Sequence, residues 1–265
     1  MVVLCWCGVA LSVEDVLRFA RHAINPDSEF TACAVFDVNH DGHMDIVSGG
    51  WWYEGPSWEK HFLRDVPQIR GRFDDYSNLP LDVNGDGWTD IISANYRSES
   101  LFWIEHPGAG LGPWVVHLIE KPGPMETGRL YDMDGNGTPD VLPNGMNFAA
   151  WWQLQRDQDG SVRWSRHDLP QEIAGHGIGF GDINGDGRGD VVTATGWWES
   201  PENVFEGEWV AHREWMLHRD AGVPIIVQDI DQDGDCDLMW GRGHSVGLYW
   251  LEQIREGDSR RWTMH

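Results

Sequence analysis

The sequence predicts an all-β chain, a β-propeller of four-stranded blades, with five blades inside its 265 residues. Three observations carry that prediction. A nine-residue loop recurs five times, short apolar runs flank each copy, and each unit closes on a tryptophan-rich run followed by W-x-x-H. Self-similarity at a period of about 48 residues marks repeated supersecondary units. Four-stranded units repeated around an axis are propeller blades.

The loops are DVNHDGHMD from Asp37, DVNGDGWTD from Asp82, DMDGNGTPD from Asp132, DINGDGRGD from Asp182 and DIDQDGDCD from Asp229. All read D-x-[DN]-x-[DN]-G-x-x-D. Carboxylates this close repel, so the loop calls for a compensating cation. Alternating Asp and Asn oxygens plus a backbone carbonyl suit calcium, a hard cation that takes about six to eight oxygens. Asp, Asn and Gly also favour ordinary turns, but five copies in one register favour the metal. Glycine at the sixth position permits the sharp turn. An EF-hand begins the same way but needs a bidentate Glu at its twelfth position. Here that position holds Ser48, Ser93, Pro143, Thr193 and Trp240, which removes calmodulin-like and dockerin-like readings.

The flanking runs justify the strands. ACAVF, LPL, GRLY, GIGFG and PIIVQ precede the loops, and DIVSGG, DIISAN, DVLPNG, DVVTAT and DLMWGR follow them. Short β-branched runs ending in Gly, Asn or Pro read as strands, so each loop sits in a strand-loop-strand hairpin. A third strand carries the aromatics: Trp51 and Trp52, Trp103, Trp151 and Trp152, Trp197 and Trp198, and Trp250. The fourth carries the pairs Trp58/His61, Trp114/His117, Trp164/His167, Trp209/His212 and Trp262/His265. Regularly placed tryptophans favour packing between blades over sugar stacking. The recurring histidines read as structural.

Loops, period and strand order resemble the FG-GAP/VCBS repeats of bacterial secreted propellers, with blades similar to the calcium-loop blades of integrin α-subunits. The resemblance covers residues 19–265. It implies that the loop joins the innermost strand to the next on one rim of the disc. It also implies one calcium ion per loop, up to five, held by side chains at loop positions 1, 3, 5 and 9. These are Asp37, Asn39, Asp41 and Asp45; Asp82, Asn84, Asp86 and Asp90; Asp132, Asp134, Asn136 and Asp140; Asp182, Asn184, Asp186 and Asp190; and Asp229, Asp231, Asp233 and Asp237. The carbonyl at position 7 would come from His43, Trp88, Thr138, Arg188 and Asp235.

The first twelve residues, MVVLCWCGVALS, are apolar but too short to span a bilayer. They resemble the apolar region of a signal peptide, without a basic leader or a clear A-x-A cleavage site. The expected location is therefore secreted, periplasmic or at the cell surface. Cys33 and Cys236 would remain after cleavage, and they do not form a disulfide framework. A formal net charge of -24 at pH 7 argues against nucleic acid as a partner. Phe19 and His22, within RFARHAI, stand in the Trp and His places of an outer strand, yet the fifth repeat already owns Trp262 and His265. The surplus strand predicts an open arc of five blades within a larger propeller. The resemblance puts the total at about seven.

Function is expected where the repeats differ, on the rim opposite the loops. That rim collects Asp74, Asp75, Tyr76, Asn95, Tyr96, Arg97, Glu126, Arg129, Asn144, His176, Arg242 and His244. Arginines, carboxylates, a tyrosine and histidines near an axis suit a binding module for a carbohydrate or protein ligand. The alternative is a sugar lyase or dehydratase working by proton abstraction, as in polysaccharide lyases and the aldos-2-ulose dehydratase that the resemblance brings in. A shared fold does not choose between them.

Overall fold

The computed structural model describes residues 20–257 and 259–265. The amino-terminal segment read as export signal, and Arg18 and Phe19 of the surplus strand, lie outside the described residues. Five four-stranded antiparallel sheets follow in chain order. Sheet I holds β1 (Ala34–Phe36), β2 (Asp45–Ser48), β3 (Trp51–Glu54) and β4 (Glu59–Phe62). A two-stranded ribbon, β5 (Gln68–Ile69) and β6 (Arg72–Phe73), precedes sheet II, which holds β7 (Leu79–Leu81), β8 (Asp90–Ala94), β9 (Leu101–Glu105) and β10 (Val115–Glu120). Sheet III holds β11 (Met125–Tyr131), β12 (Asp140–Gly145), β13 (Ala150–Arg156) and β14 (Val162–Asp168). Sheet IV holds β15 (Ile178–Gly181), β16 (Asp190–Thr193), β17 (Gly196–Glu199) and β18 (Val210–His212). Sheet V holds β19 (Ala221–Gln228), β20 (Asp237–Arg242), β21 (Leu248–Glu256) and β22 (Ser259–Met264).

Each sheet is a simple meander, and the first strands pack on one another: β1 on β7, β7 on β11, and both β11 and β15 on β19. The alternating glycines of AGHGIGFG explain one such contact. A Cβ on Gly179 would lie 2.3 Å from the Ile225 carbonyl oxygen, and one on Gly177 would lie 2.4 Å from that of Ala221. Only glycine lets β15 approach β19 backbone to backbone.

The core lies in four layers between neighbouring sheets. Val47 and Trp52 of sheet I meet Ile91 and Ile104 of sheet II. Leu79, Ile92 and Trp103 of sheet II meet Val141 and Trp152 of sheet III. Sheet III turns Leu142 and Trp151 toward Val191 and Trp198 of sheet IV. Sheet IV turns Val192 and Trp197 toward Leu238 and Trp240 of sheet V. The Trp-Trp doublets of sheets III and IV follow from this arrangement. Adjacent residues on a strand face opposite sides, and these two sheets are covered on both sides. Each fully buried tryptophan removes about 150–250 Å² from water. At about 25 cal/mol per Å² that is roughly 4–6 kcal/mol of transfer free energy.

Closure of sheet V onto sheet I is not seen among the described residues, which matches the open arc. Residues 20–24 form no strand, and sheet V uses β22 as its own fourth strand. Ile226 and Leu248 on sheet V are 39% and 73% exposed. Cys33 and Cys236 are free thiols.

Candidate functional site

Each predicted metal loop joins the first strand of a sheet to its second. The ninth-position aspartates, Asp45, Asp90, Asp140, Asp190 and Asp237, open the second strands and are 0% exposed. Their Oδ2 atoms accept the backbone N–H groups of Val38, Val83, Met133, Ile183 and Ile230 at 2.7–3.0 Å. Their Oδ1 atoms accept those of Gly55, His106, Leu154, Ser200 and Gln253 at 2.7–3.4 Å. One carboxylate thus ties the start of the loop to the end of the third strand in every sheet.

The first-position aspartates wrap the turn. Oδ2 of Asp37, Asp82, Asp132, Asp182 and Asp229 accepts the N–H of the sixth-position glycine at 2.8–3.1 Å. Those glycines have φ between +85° and +99°, a region that side chains disfavour. In sheets III and V three carboxylates converge. Oxygens of Asp132, Asp134 and Asp140 lie within 4.8 Å of one another, as do those of Asp229, Asp231 and Asp237. The donors are all oxygen, the preference of a hard divalent cation, and the residues fit such an ion.

Electrostatics agrees. Burial pushes the Asp140 carboxyl up to about 7, against the N–H groups of Met133 and Leu154, and Asp134 and Asp132 push the same way. Asp90 and Asp190 rise to about 6 for the same reasons. Clusters that resist ionisation in isolation become favourable anions beside a cation.

The third strand connects each loop to the outer histidine. Asn39 donates to Glu54 at 3.1 Å, and Glu54 lies 2.9 Å from His61 Nε2. Asn84 donates to Glu105 at 3.2 Å, and Glu105 lies 2.7 Å from His117. Glu199 and His212, and Glu252 and His265, pair at 2.9 and 2.7 Å. Every one of these histidines stacks on the third-strand tryptophan opposite it, with ring centroids 4.1–4.4 Å apart; His167 does so too. Sheet III inverts the chemistry. Gln153 replaces the glutamate and donates to Asp134 at 2.5 Å, so an Asp-Gln pair stands for Asn-Glu at equal charge. His167 Nε2 is left without a partner among the described residues, and burial holds that histidine below its usual range.

At the opposite rim the expected residues divide into two groups. In sheet II, Asp74 is 2% exposed and accepts the N–H groups of Arg97 and Ser98, both at 3.2 Å. Asp75 is 0% exposed and faces Arg64 at 3.6 Å. Burial pushes its pKa up, against the pull of Arg64. Asn95, also buried, accepts the Tyr76 N–H, while Arg97 Nε donates to the Tyr76 hydroxyl at 3.2 Å. Tyr96 lies 6.0 Å from the Tyr76 ring.

The second group joins sheets III, IV and V. Asn144, 1% exposed, accepts the N–H groups of Glu126 and Thr127 at 2.8 Å and donates to the His176 carbonyl at 2.8 Å. That clamp sets Glu126 Oε2 3.1 Å from His176 Nε2. The His244 ring packs edge-on 5.0 Å from His176. Asp220 holds Arg242 at 2.7 Å and the His244 N–H at 3.1 Å. Arg129 stays exposed on β11, without a hydrogen bond or ion pair to this group among the described residues. Beside His176 opens a cleft of about 450 Å³, lined by Glu172, Thr195, Met216, Leu217 and Arg219 among others. The sequence reading did not pick out Glu172, Met216 and Arg219, which lie in linkers with no repeat signal.

The repeat geometry has a counterpart among known families. Residues 82–142 match the FG-GAP-like repeat family. The chain carries an FG-GAP-like repeat. The match spans the loop of sheet II through the loop of sheet III, and the same loop-strand pattern recurs in the other three sheets. No curated protein matches the chain. Among solved structures it is similar to an Agrocybe aegerita lectin described as recognising non-reducing terminal N-acetylglucosamine, at 17% identity and TM-score 0.49, covering 83% of this chain and 62% of the lectin. It is also similar to the V. cholerae biofilm matrix protein Bap1, at 17% identity and TM-score 0.48, covering 88% of this chain and 40% of that one. The chain thus spans less than two thirds of the length of either. Among the described residues no helix is long and apolar enough to cross a membrane.

Proposed function

We propose that this chain is an exported, calcium-stabilised propeller module that binds a carbohydrate through the rim opposite its metal loops. The observation that carries the reading is the Asn144 clamp, which ties sheet III to sheet IV and sets Glu126 against His176 beside the cleft. Sugar sites combine an apolar surface with a few fixed polar groups. Ile173, Met216 and Leu217 supply the first; His176, Thr195 and Arg219 supply the second, with Glu126 set against His176. The all-oxygen loops would hold calcium and keep the sheets in register, leaving the other rim free for recognition. The exposed face of sheet V, with Ile226 and Leu248, is where a further blade would pack.

A glycan array probed in calcium-containing buffer tests this directly. Binding is expected, and Glu126→Gln or His176→Gln should abolish it without changing the melting temperature in calcium. An array with no bound glycan would overturn the carbohydrate reading.

A second reading rests on the same pair. His176 Nε2 is buried and lies 3.1 Å from Glu126 Oε2, while the Glu126 side chain stays partly exposed. A carboxylate held beside a histidine can take a proton next to a sugar carbonyl or uronate. Release of unsaturated sugar products by the wild type, lost in both variants, would move the protein to the lyase or dehydratase class.

A further inference from the structure

On the metal-loop face, neighbouring sheets are tied by a side chain that leaves the end of one third strand and reaches the first carbonyls of the preceding loop. Arg156 donates from Nε to the Val83 carbonyl at 2.8 Å and from Nη2 to the Asp82 carbonyl. Arg255 donates to the Ile183 carbonyl at 3.4 Å. Between sheets I and II, His106 Nε2 lies 3.0 Å from the Val38 carbonyl. Between sheets III and IV, no side chain among the described residues makes this bond to the Met133 carbonyl.

The repeat shows what is missing. Arg156 and Arg255 each stand two residues after the N–H that binds the ninth-position aspartate, that of Leu154 or Gln253. In sheet IV that N–H belongs to Ser200, and two residues on stands Glu202. The charge is reversed where the other two sheets carry arginine.

A cavity of about 440 Å³ opens there, walled by Asp132, Met133, Arg188, Ser200, Glu202 and Phe205, among others. Ser200 is 2% exposed, and its Oγ has no hydrogen-bond partner among the described residues. Arg188 Nη2 is already held by Asp186 at 2.5 Å, although its Nε has no partner among the described residues. Phe205 is 49% exposed and forms an apolar lip.

We infer that this cavity is a socket for an arginine side chain of a partner protein, which would occupy the place that Arg156 and Arg255 fill at the other junctions. The guanidinium would bond the Asp132 and Met133 carbonyls, as Arg156 bonds those of Asp82 and Val83. Glu202 and the Ser200 Oγ would take its remaining donors. Arginine suits such a fork of acceptors better than lysine does, and its stem and cation would lie on Phe205. Calcium in the third loop would neutralise Asp132 and Asp134, but it leaves Glu202 and the carbonyls in place. The charge of -24 draws a basic segment toward this face. The socket is separate from the cleft beside His176 and does not depend on the carbohydrate reading.

The test is an NMR titration of the calcium-loaded chain at physiological salt with acetyl-Gly-Arg-Gly-amide, alongside its citrulline counterpart and glucose. The arginine peptide should shift the Ser200 and Phe205 resonances, with the citrulline peptide at least about tenfold weaker. Glu202→Arg should abolish the shifts and keep or raise the melting temperature, because the new arginine fills the socket from within. Glu202→Gln, which adds no bulk, should weaken binding, while Glu208→Arg nearby should leave it intact. Equal binding of the citrulline peptide, shifts produced by glucose instead, equal loss in Glu208→Arg, or no shifts at Ser200 and Phe205 would each overturn the socket.

Discussion

At the metal-loop edge, five aspartates from five sheets make the same two backbone hydrogen bonds. At the opposite edge the second strands run out into different residues: Asn95 in sheet II, Asn144 in sheet III, Thr195 in sheet IV and Arg242 in sheet V. The first edge is uniform because each loop must solve the same problem, a turn crowded with carboxylates. The second edge has no such shared demand, so each sheet can carry side chains that meet only there. Uniformity therefore marks what holds the sheets, and variation marks what can recognise a ligand.

Metal removal should expose this difference most strongly. A ligand at a hundred times its Kd stabilises by about 2.7 kcal/mol per site. Loss of several calcium ions should then lower Tm by roughly 10 °C or more. Calcium should restore the loss better than magnesium, which dehydrates reluctantly and wants a tighter octahedron. Superimposable melting curves with and without EDTA would remove the metal from the account.

Within one loop the two kinds of aspartate should separate. Asp190→Ala deprives the Ile183 and Ser200 N–H groups of their acceptor inside the protein. Two buried donors left unpaired cost about 2–5 kcal/mol together. Asp186→Ala removes a partly exposed carboxylate paired with Arg188, which should cost under about 1 kcal/mol in chelator. Urea denaturation in EDTA measures both. Equal losses would mean that the ninth position is only a ligand.

Much of this was legible in the sequence, and the exceptions have physical causes. The loops, all four strands of each sheet, and the structural standing of the W-x-x-H histidines could be read because period and residue type carry them. The tie from Glu54, Glu105, Glu199 and Glu252 to those histidines was missed, because a glutamate ending a strand looks like any solvated acid. Its only trace is the Asp134–Gln153 exchange for Asn-Glu. The ribbon of β5 and β6 turns on Arg70 and Gly71, both with positive φ, in a stretch without the alternating apolar pattern of a strand. Composition alone groups Asp74 and Asp75 with the rim. Their burial depends on Arg64 and on the Arg97–Ser98 backbone, contacts that sequence order does not show.

The exchange in sheet III gives a smaller effect. Gln153→Glu alone sets a second carboxylate against Asp134, at a cost of about 0.5–1 kcal/mol without calcium. Adding Asp134→Asn rebuilds the Asn-Glu-His pattern of sheets I and II and gives His167 its missing partner. The double variant should recover that loss, with a coupling energy of at least about 0.5 kcal/mol. Additive losses would make the exchange coincidental.

A carboxylate outside both edges provides a control. Burial raises the pKa of Glu214, but hydrogen bonds from Trp262, Trp197 and Arg260 outweigh it and hold the group below its usual 4.5. A depressed carboxylate contributes stability that is present above pH 4.5 and lost as the pH falls through its folded value. Glu214→Gln should therefore flatten the acid limb of the stability curve and leave the calcium dependence unchanged.

The smallest effects on stability belong to the variable rim, where they must be separated from the framework beneath it. Glu126 and His176 are partly exposed, and their 3.1 Å pair sets a carboxylate against a histidine that lines the cleft. Glu126→Gln should change stability by no more than about 0.5 kcal/mol while removing ligand binding. Asn144 shares the rim but not the exposure. It makes three hydrogen bonds to backbone groups of sheets III and IV, so Asn144→Ala should cost about 1–3 kcal/mol and lose binding as well. Denaturation and glycan binding measured on both variants would show whether variation at this edge reaches down to the clamp. If Glu126→Gln destabilised as much as Asn144→Ala, the Glu126–His176 pair would belong to the framework, and the contrast between the two edges would fail at its most exposed point.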